Sequence, residues 1–119
     1  MDVASDLERY MLELINVERA ANGLAPVALE QNLNTSADAH SQWMSDADTF
    51  SHTGVDGSHH TDRILSADFD LDGRWRTTEN IAAVSVTGAG SLYDEVDRLH
   101  ENLMNSPSHR ANILDPDVT

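Results

Sequence analysis

A chain of 119 residues suits one domain, 1–119, with a modest core and little to spare for another. Seven Arg, no Lys and 21 Asp plus Glu give a formal charge of -14, which repels phosphate backbones and anionic membranes and argues against nucleic acid as a partner. With no cysteine there is neither a disulfide framework nor thiolate chemistry, and no apolar run approaches the roughly 18 residues of a membrane span.

Met1-Asp2-Val3 does not read as a signal peptide, so an exported form requires a signal already removed or lying outside this sequence. From Leu7 to Ala21 apolar residues recur at Leu7, Met11, Leu14, Ile15, Val17 and Ala21, a helical spacing closed by Gly23 and Pro26. A second helix is expected over Glu30 to Ala47, with Leu33, Ala37, His40, Ser41 and Met44 along one stripe. Phe50 to His60 has no period and reads as a loop, followed by a short helix over Thr61 to Ala67 and a polar loop from Asp68 to Thr78.

Glu79 to Thr87 carries Ile81, Ala83, Val84 and Val86 before Gly88 and Gly90, the one strand signal in the chain. After Ser91 a third long helix places Leu92, Val96, Leu99 and Leu103 on one face, with Asp94 and Glu95 near its positive N-terminus. Ser106-Pro107 reads as an N-cap and first helical position, opening a short helix through His109 to Leu114. The expected class is α+β, dominated by helices.

Six histidines, at 40, 52, 59, 60, 100 and 109, supply the groups that titrate near neutrality and bind divalent metals. No His-x-x-x-His pair shares a helical face, so a metal site must be assembled from distant segments. His40 lies on the inner stripe of its helix and reads as a hydrogen-bonded core residue, His100 as a surface or flank residue, and His59 and His60 as solvated loop residues. Ser106 lies three residues before His109, but its place before proline favours capping over nucleophilic catalysis.

A calcium-loop pattern, D-x-D-x-D-G-x5-E, is matched by Asp68, Asp70, Asp72, Gly73 and Glu79. Arg74 and Arg76 put positive charge inside that loop, and Glu79 opens a strand-like segment where the pattern calls for a helix. Solvated acids in a turn are the competing reading.

Taken in order, the motifs resemble the bacterial SCP-like branch of the CAP superfamily, the cysteine-rich secretory, antigen 5 and pathogenesis-related proteins. Asn16-Val17-Glu18-Arg19 with Gly23-Leu24-Ala25-Pro26-Val27 is similar to the first-helix signature, and Leu33 to Met44 to the second helix. Phe50-Ser51-His52 with Gly54 and Asp56-Gly57 resembles the histidine loop, Arg63-Ile64 the next helix, and Glu79-Asn80-Ile81-Ala82 the glutamate strand. The run from Asn105 to Leu114, with Ser106-Pro107-Ser108-His109, closes the set.

The resemblance implies a three-layer α-β-α sandwich and a cleft lined by two histidines and two acids, which carries over onto His52, Glu79 and His109. The second acid does not transfer: Leu103-Met104-Asn105-Ser106 stands in its place, and Glu101 is out of step. Members normally continue past Asn112-Ile113-Leu114 into further strands, so a chain stopping at Thr119 is expected to leave sheet edges that another copy could pair, giving a homo-oligomer.

Three functions compete on this footing. One is a secreted, extracellular module binding a small molecule, lipid, glycan or peptide. Another is a metal-dependent hydrolase with His52 and His109 as ligands to Zn²⁺ or Mg²⁺ and Glu79 as ligand or general base. The last is a Ca²⁺-binding module using Asp68, Asp70, Asp72 and Glu79. Hydrogen bonding among His52, Glu79 and His109 that merely holds loops in place is the bland alternative.

Overall fold

The computed structural model describes residues 5–73, 75–84 and 91–118. Among them are α1 (Asp6–Ala21), α2 (Gln31–Asp46), a 3-10 turn (Val55–Gly57), α3 (His60–Ser66), α4 (Leu92–Met104) and α5 (Pro107–Ile113). The chain divides into two compact units, the first built on Leu29–Ile81 and the second on Ala4–Ala28 with Ala82–Thr119. No helix among the described residues is long and apolar enough to cross a membrane.

In the first unit α2 packs on α3. Glu30 caps α2 by accepting the Leu33 N–H at 2.8 Å, which satisfies a donor that the first helical turn leaves open. His59 caps α3: its Nδ1 accepts the Thr61 N–H at 3.2 Å while Asp62 accepts the His59 N–H at 3.0 Å. The loop histidine of the sequence reading is thus a helix cap.

Both helices end in the closure that normally selects glycine. The Thr49 N–H returns to the Met44 carbonyl at 3.0 Å and the Phe69 N–H to the Ile64 carbonyl at 3.1 Å, with Asp48 (φ 49) and Asp68 (φ 66) left-handed between them. At the end of α1 the same role falls to Gly23 (φ 72), where the Leu24 N–H reaches the Arg19 carbonyl at 2.9 Å. A left-handed L-residue pays a steric cost that glycine avoids. Asp68→Gly is therefore expected to raise stability by roughly 0.5–1 kcal/mol in a thermal melt; a loss of stability would mean that the Asp68 carboxylate matters more than its backbone.

In the second unit α1 and α5 pack on α4. Ser5 and Glu8 form a capping box at the start of α1, the Glu8 N–H reaching Ser5 Oγ at 3.1 Å. The buried face of α4 is Glu95, Val96, His100 and Leu103. His100 is therefore not the surface or flank residue its polarity suggested. It stands four residues after Val96 and three before Leu103, inside the apolar stripe, 7% exposed and 3.5 Å from Glu18 Oε1 on α1. Glu95 is buried beside its ion-pair partner Arg98.

The least exposed large side chain is charged. Arg19, 1% exposed, donates Nε to the Ala25 carbonyl at 2.8 Å, Nη1 to the carbonyls of Ile113 (2.8 Å) and Asp115 (2.9 Å), and Nη2 to that of Val118 (3.2 Å). One planar fork thus satisfies carbonyls at the end of α5 and in the segment after α1.

The strand expected over Glu79–Thr87 is not seen in its described part, residues 79–84, and residues 85–87 lie outside the described residues. A strand is held by its ladder, and no strand exists among the described residues to pair with it. Of the expected sandwich the described residues supply helices.

Candidate functional site

The loop after α2 is fixed from beneath by a core histidine. His40, 4% exposed and stacked on Trp43 at a centroid distance of 5.7 Å, makes a 2.9 Å hydrogen bond from Nε2 to the Ser51 carbonyl, as the inner-stripe reading expected. A carbonyl only accepts, so Nε2 carries the proton. The turn that follows closes on itself, with the Gly54 N–H on the Ser58 carbonyl at 2.9 Å.

That anchored loop presents His52. Its Nδ1 lies 2.9 Å from Glu79 Oε1, and the other oxygen of Glu79 accepts from Arg63 Nη2 at 2.6 Å. Arg63 is in turn held by the loop, donating Nη1 to the Ser58 carbonyl at 2.8 Å. Exposure grades outward, from 9% for the Arg63 side chain through 18% for Glu79 to 57% for His52. Burial acts to raise the Glu79 pKa, but the hydrogen bonds from His52 and Arg63 and the Arg63 charge outweigh it and hold the carboxyl below the usual carboxylate range.

In its neutral form His52 donates from Nδ1 to the carboxylate, which leaves Nε2 as an acceptor. Nε2 makes no hydrogen bond among the described residues. Only glycine fits at position 54, where the backbone passes close to these side chains. A Cβ there would stand 2.8 Å from Arg63 Nη1, 2.9 Å from His40 Nδ1 and 2.9 Å from Ser58 Oγ, closer than real Cβ atoms come.

His109 belongs to the second unit, on α5, where its Nδ1 lies 2.7 Å from Ser106 Oγ. Ser106 does occupy the N-cap position before Pro107, but its hydroxyl makes no cap hydrogen bond; the imidazole three residues on takes it instead. Glu101 is exposed on α4. His60 is the first residue of α3, with Nδ1 3.3 Å from Thr77 Oγ1, and burial together with the neighbouring His59 lowers its pKa.

No three His, Asp or Glu side chains are gathered at metal-holding distances among the described residues. Asp68, Asp70, Asp72 and Glu79 are accordingly not brought together: Asp68 is spent on the closure of α3, and both oxygens of Glu79 face a nitrogen donor. A carboxylate so engaged suits the role of hydrogen-bond acceptor better than that of ligand to Zn²⁺, Mg²⁺ or Ca²⁺.

Sequence reasoning paired His52 with Glu79 only through family resemblance and assigned nothing to Arg63. A signal was present. Arg63 is the only Lys or Arg between Arg19 and Arg74 in a strongly acidic chain, and an isolated cation among acids is a candidate for a committed ion pair.

Residues 12–119 match the model of CAP, the Cysteine-rich secretory protein family. The chain is 30% identical over 115 residues to the uncharacterized protein YkwD of Bacillus subtilis (strain 168), covering 97% of this chain and 40% of that protein. It is also 30% identical over 112 residues to the uncharacterized membrane protein YlbC of the same organism, covering 94% of this chain and 29% of that one. The chain thus spans less than half the length of either relative. No solved structure matches it.

Proposed function

Since the chain belongs to the cysteine-rich secretory protein (CAP) family, we propose that it is a secreted binding domain in which the exposed imidazole of His52, held by Glu79, engages its ligand. The observation that carries this reading is the chain of contacts from Arg63 through Glu79 to His52. It orients an exposed ring and leaves Nε2 to accept a hydrogen bond from a ligand. Hydroxyl and amide donors, as in a glycan or a peptide, match that acceptor more closely than the apolar body of a lipid does.

Hydrolysis is the competing reading, and Glu79 bears on it. Glu79 presents one oxygen to His52 and the other to Arg63, and pairing with a guanidinium lowers its basicity as a general base. The family's three-layer sandwich belongs to the same proposal, as does a location outside the cell.

The test is a screen of glycans, peptides and lipid vesicles by NMR titration, with wild type and His52→Ala side by side. The expected result is binding without turnover, weakened about tenfold in the variant, which corresponds to one lost hydrogen bond in a partly desolvated site. Turnover of any of these compounds, abolished in His52→Ala, would replace the binding module with an enzyme.

A further inference from the structure

In the same unit as His52, α2, the Val55–Gly57 turn and α3 border an open pocket of about 600 Å³. That volume lies within the range of small-molecule pockets. Its wall includes the indole of Trp43, which stacks on His40, and the carboxylates of Asp56 and Asp62. It uses neither His52 nor Glu79, but shares His40, Ser58 and Arg63 with the support of the proposed ligand site.

Among the charged groups of this wall the guanidinium is committed and the carboxylates keep acceptor capacity, while the hydroxyls of Ser36 and Ser66 can donate or accept. The two amino groups of Arg63 are committed, Nη1 to Ser58 and Nη2 to Glu79. His40 carries its proton on Nε2, used by Ser51, so its Nδ1 is a pure acceptor; that atom is buried and has no hydrogen-bond partner. A buried acceptor left so costs free energy unless a donor reaches it. The Asp56 carboxylate makes no hydrogen bond among the described residues, and Asp62 uses only Oδ2, on the His59 N–H.

Two carboxylates with no ion-pair partner among the described residues and an aromatic wall together favour positive charge on an apolar body. From this we propose that the pocket binds a small organic cation, an ammonium group on a flat apolar frame, with the frame against Trp43 and the charge between Asp56 and Asp62. The overall charge of -14 raises the local concentration of such a ligand.

The test uses the full chain carrying Trp75→Phe, which leaves Trp43 the only tryptophan of the two. Its emission is followed during titration with 2-phenylethylammonium, and with 2-phenylethanol and 3-phenylpropanoate, which share the ring but not the charge. Amide shifts of unsubstituted protein in the same titrations serve as a readout independent of Trp75.

A saturable change with the ammonium is expected, with shifts confined to α2, the turn and α3. The alcohol and the acid should bind at least about tenfold more weakly, as should the ammonium to Asp56→Asn/Asp62→Asn, a pair of exposed replacements that keep the side-chain shape. The proposal is overturned by no saturable change up to about 10 mM, a concentration at which a weak pocket already fills. Equal binding of the alcohol also overturns it, since only apolar burial would then be at work.

Discussion

Arg19→Met is expected to lower the stability of the chain by at least about 3 kcal/mol, or roughly 10 °C in melting temperature for a domain of this size. The cost is not the loss of a side chain's volume, because methionine fills much of the same space. It comes from the carbonyls of Ala25, Ile113, Asp115 and Val118, which lose the donors that replaced water in a region where Arg19 is 1% exposed. Arg19→Lys keeps the charge but offers a compact ammonium in place of a fork, so it should recover only part of the loss. Denaturant or thermal unfolding of the two variants reads this directly. If Arg19→Met melted within a degree or two of wild type, the guanidinium would not be the staple described here.

The second large effect is expected at Arg63. Arg63→Met removes donors to Glu79 Oε2 and to the Ser58 carbonyl and leaves a mostly buried carboxylate without its guanidinium, at a cost of about 2–4 kcal/mol. It should also change how the protein responds to acid. In the wild type the Glu79 pKa is held below its unfolded value, so its contribution to stability is fully present above about pH 4.3 and is lost as pH falls through the lower folded value.

Without Arg63 the main opposition to burial is gone and the Glu79 pKa rises, which moves that loss to higher pH. Melting temperature against pH, with the Glu79 carboxyl followed by carbon NMR, separates the two proteins. An unchanged Glu79 titration in Arg63→Met would mean that the ion pair does not set the charge of the site.

Helices were legible in the sequence because their signals are local. The apolar stripes from Leu7 and Leu33, Gly23 after α1 and Pro107 at the start of α5 each act within one or two turns of chain. What escaped was set by partners far along the sequence. Nothing near Arg19 announces carbonyls at 113, 115 and 118, and polarity placed His100 on the surface although its register with Val96 and Leu103 was readable.

The calcium pattern is the opposite case, a local match in which solvated acids in a turn were the competing reading. Its first aspartate has a backbone task at the end of α3, and its glutamate is drawn to Arg63. Ser106 was read correctly as to position and incorrectly as to hydroxyl, because an imidazole three residues on offers a 2.7 Å partner. The pairing of His52 with Glu79, twenty-seven residues apart, was reachable only by resemblance to a family.

The central claim is that Glu79 fixes the His52 ring and leaves Nε2 free to meet a ligand. The ring nitrogen shifts of His52, measured by nitrogen NMR above its titration in wild type and in Glu79→Gln, test it most directly. A neutral ring protonated on Nδ1 is expected in the wild type, with that preference weakened when the carboxylate is neutralised. A wild-type ring protonated on Nε2 would contradict it.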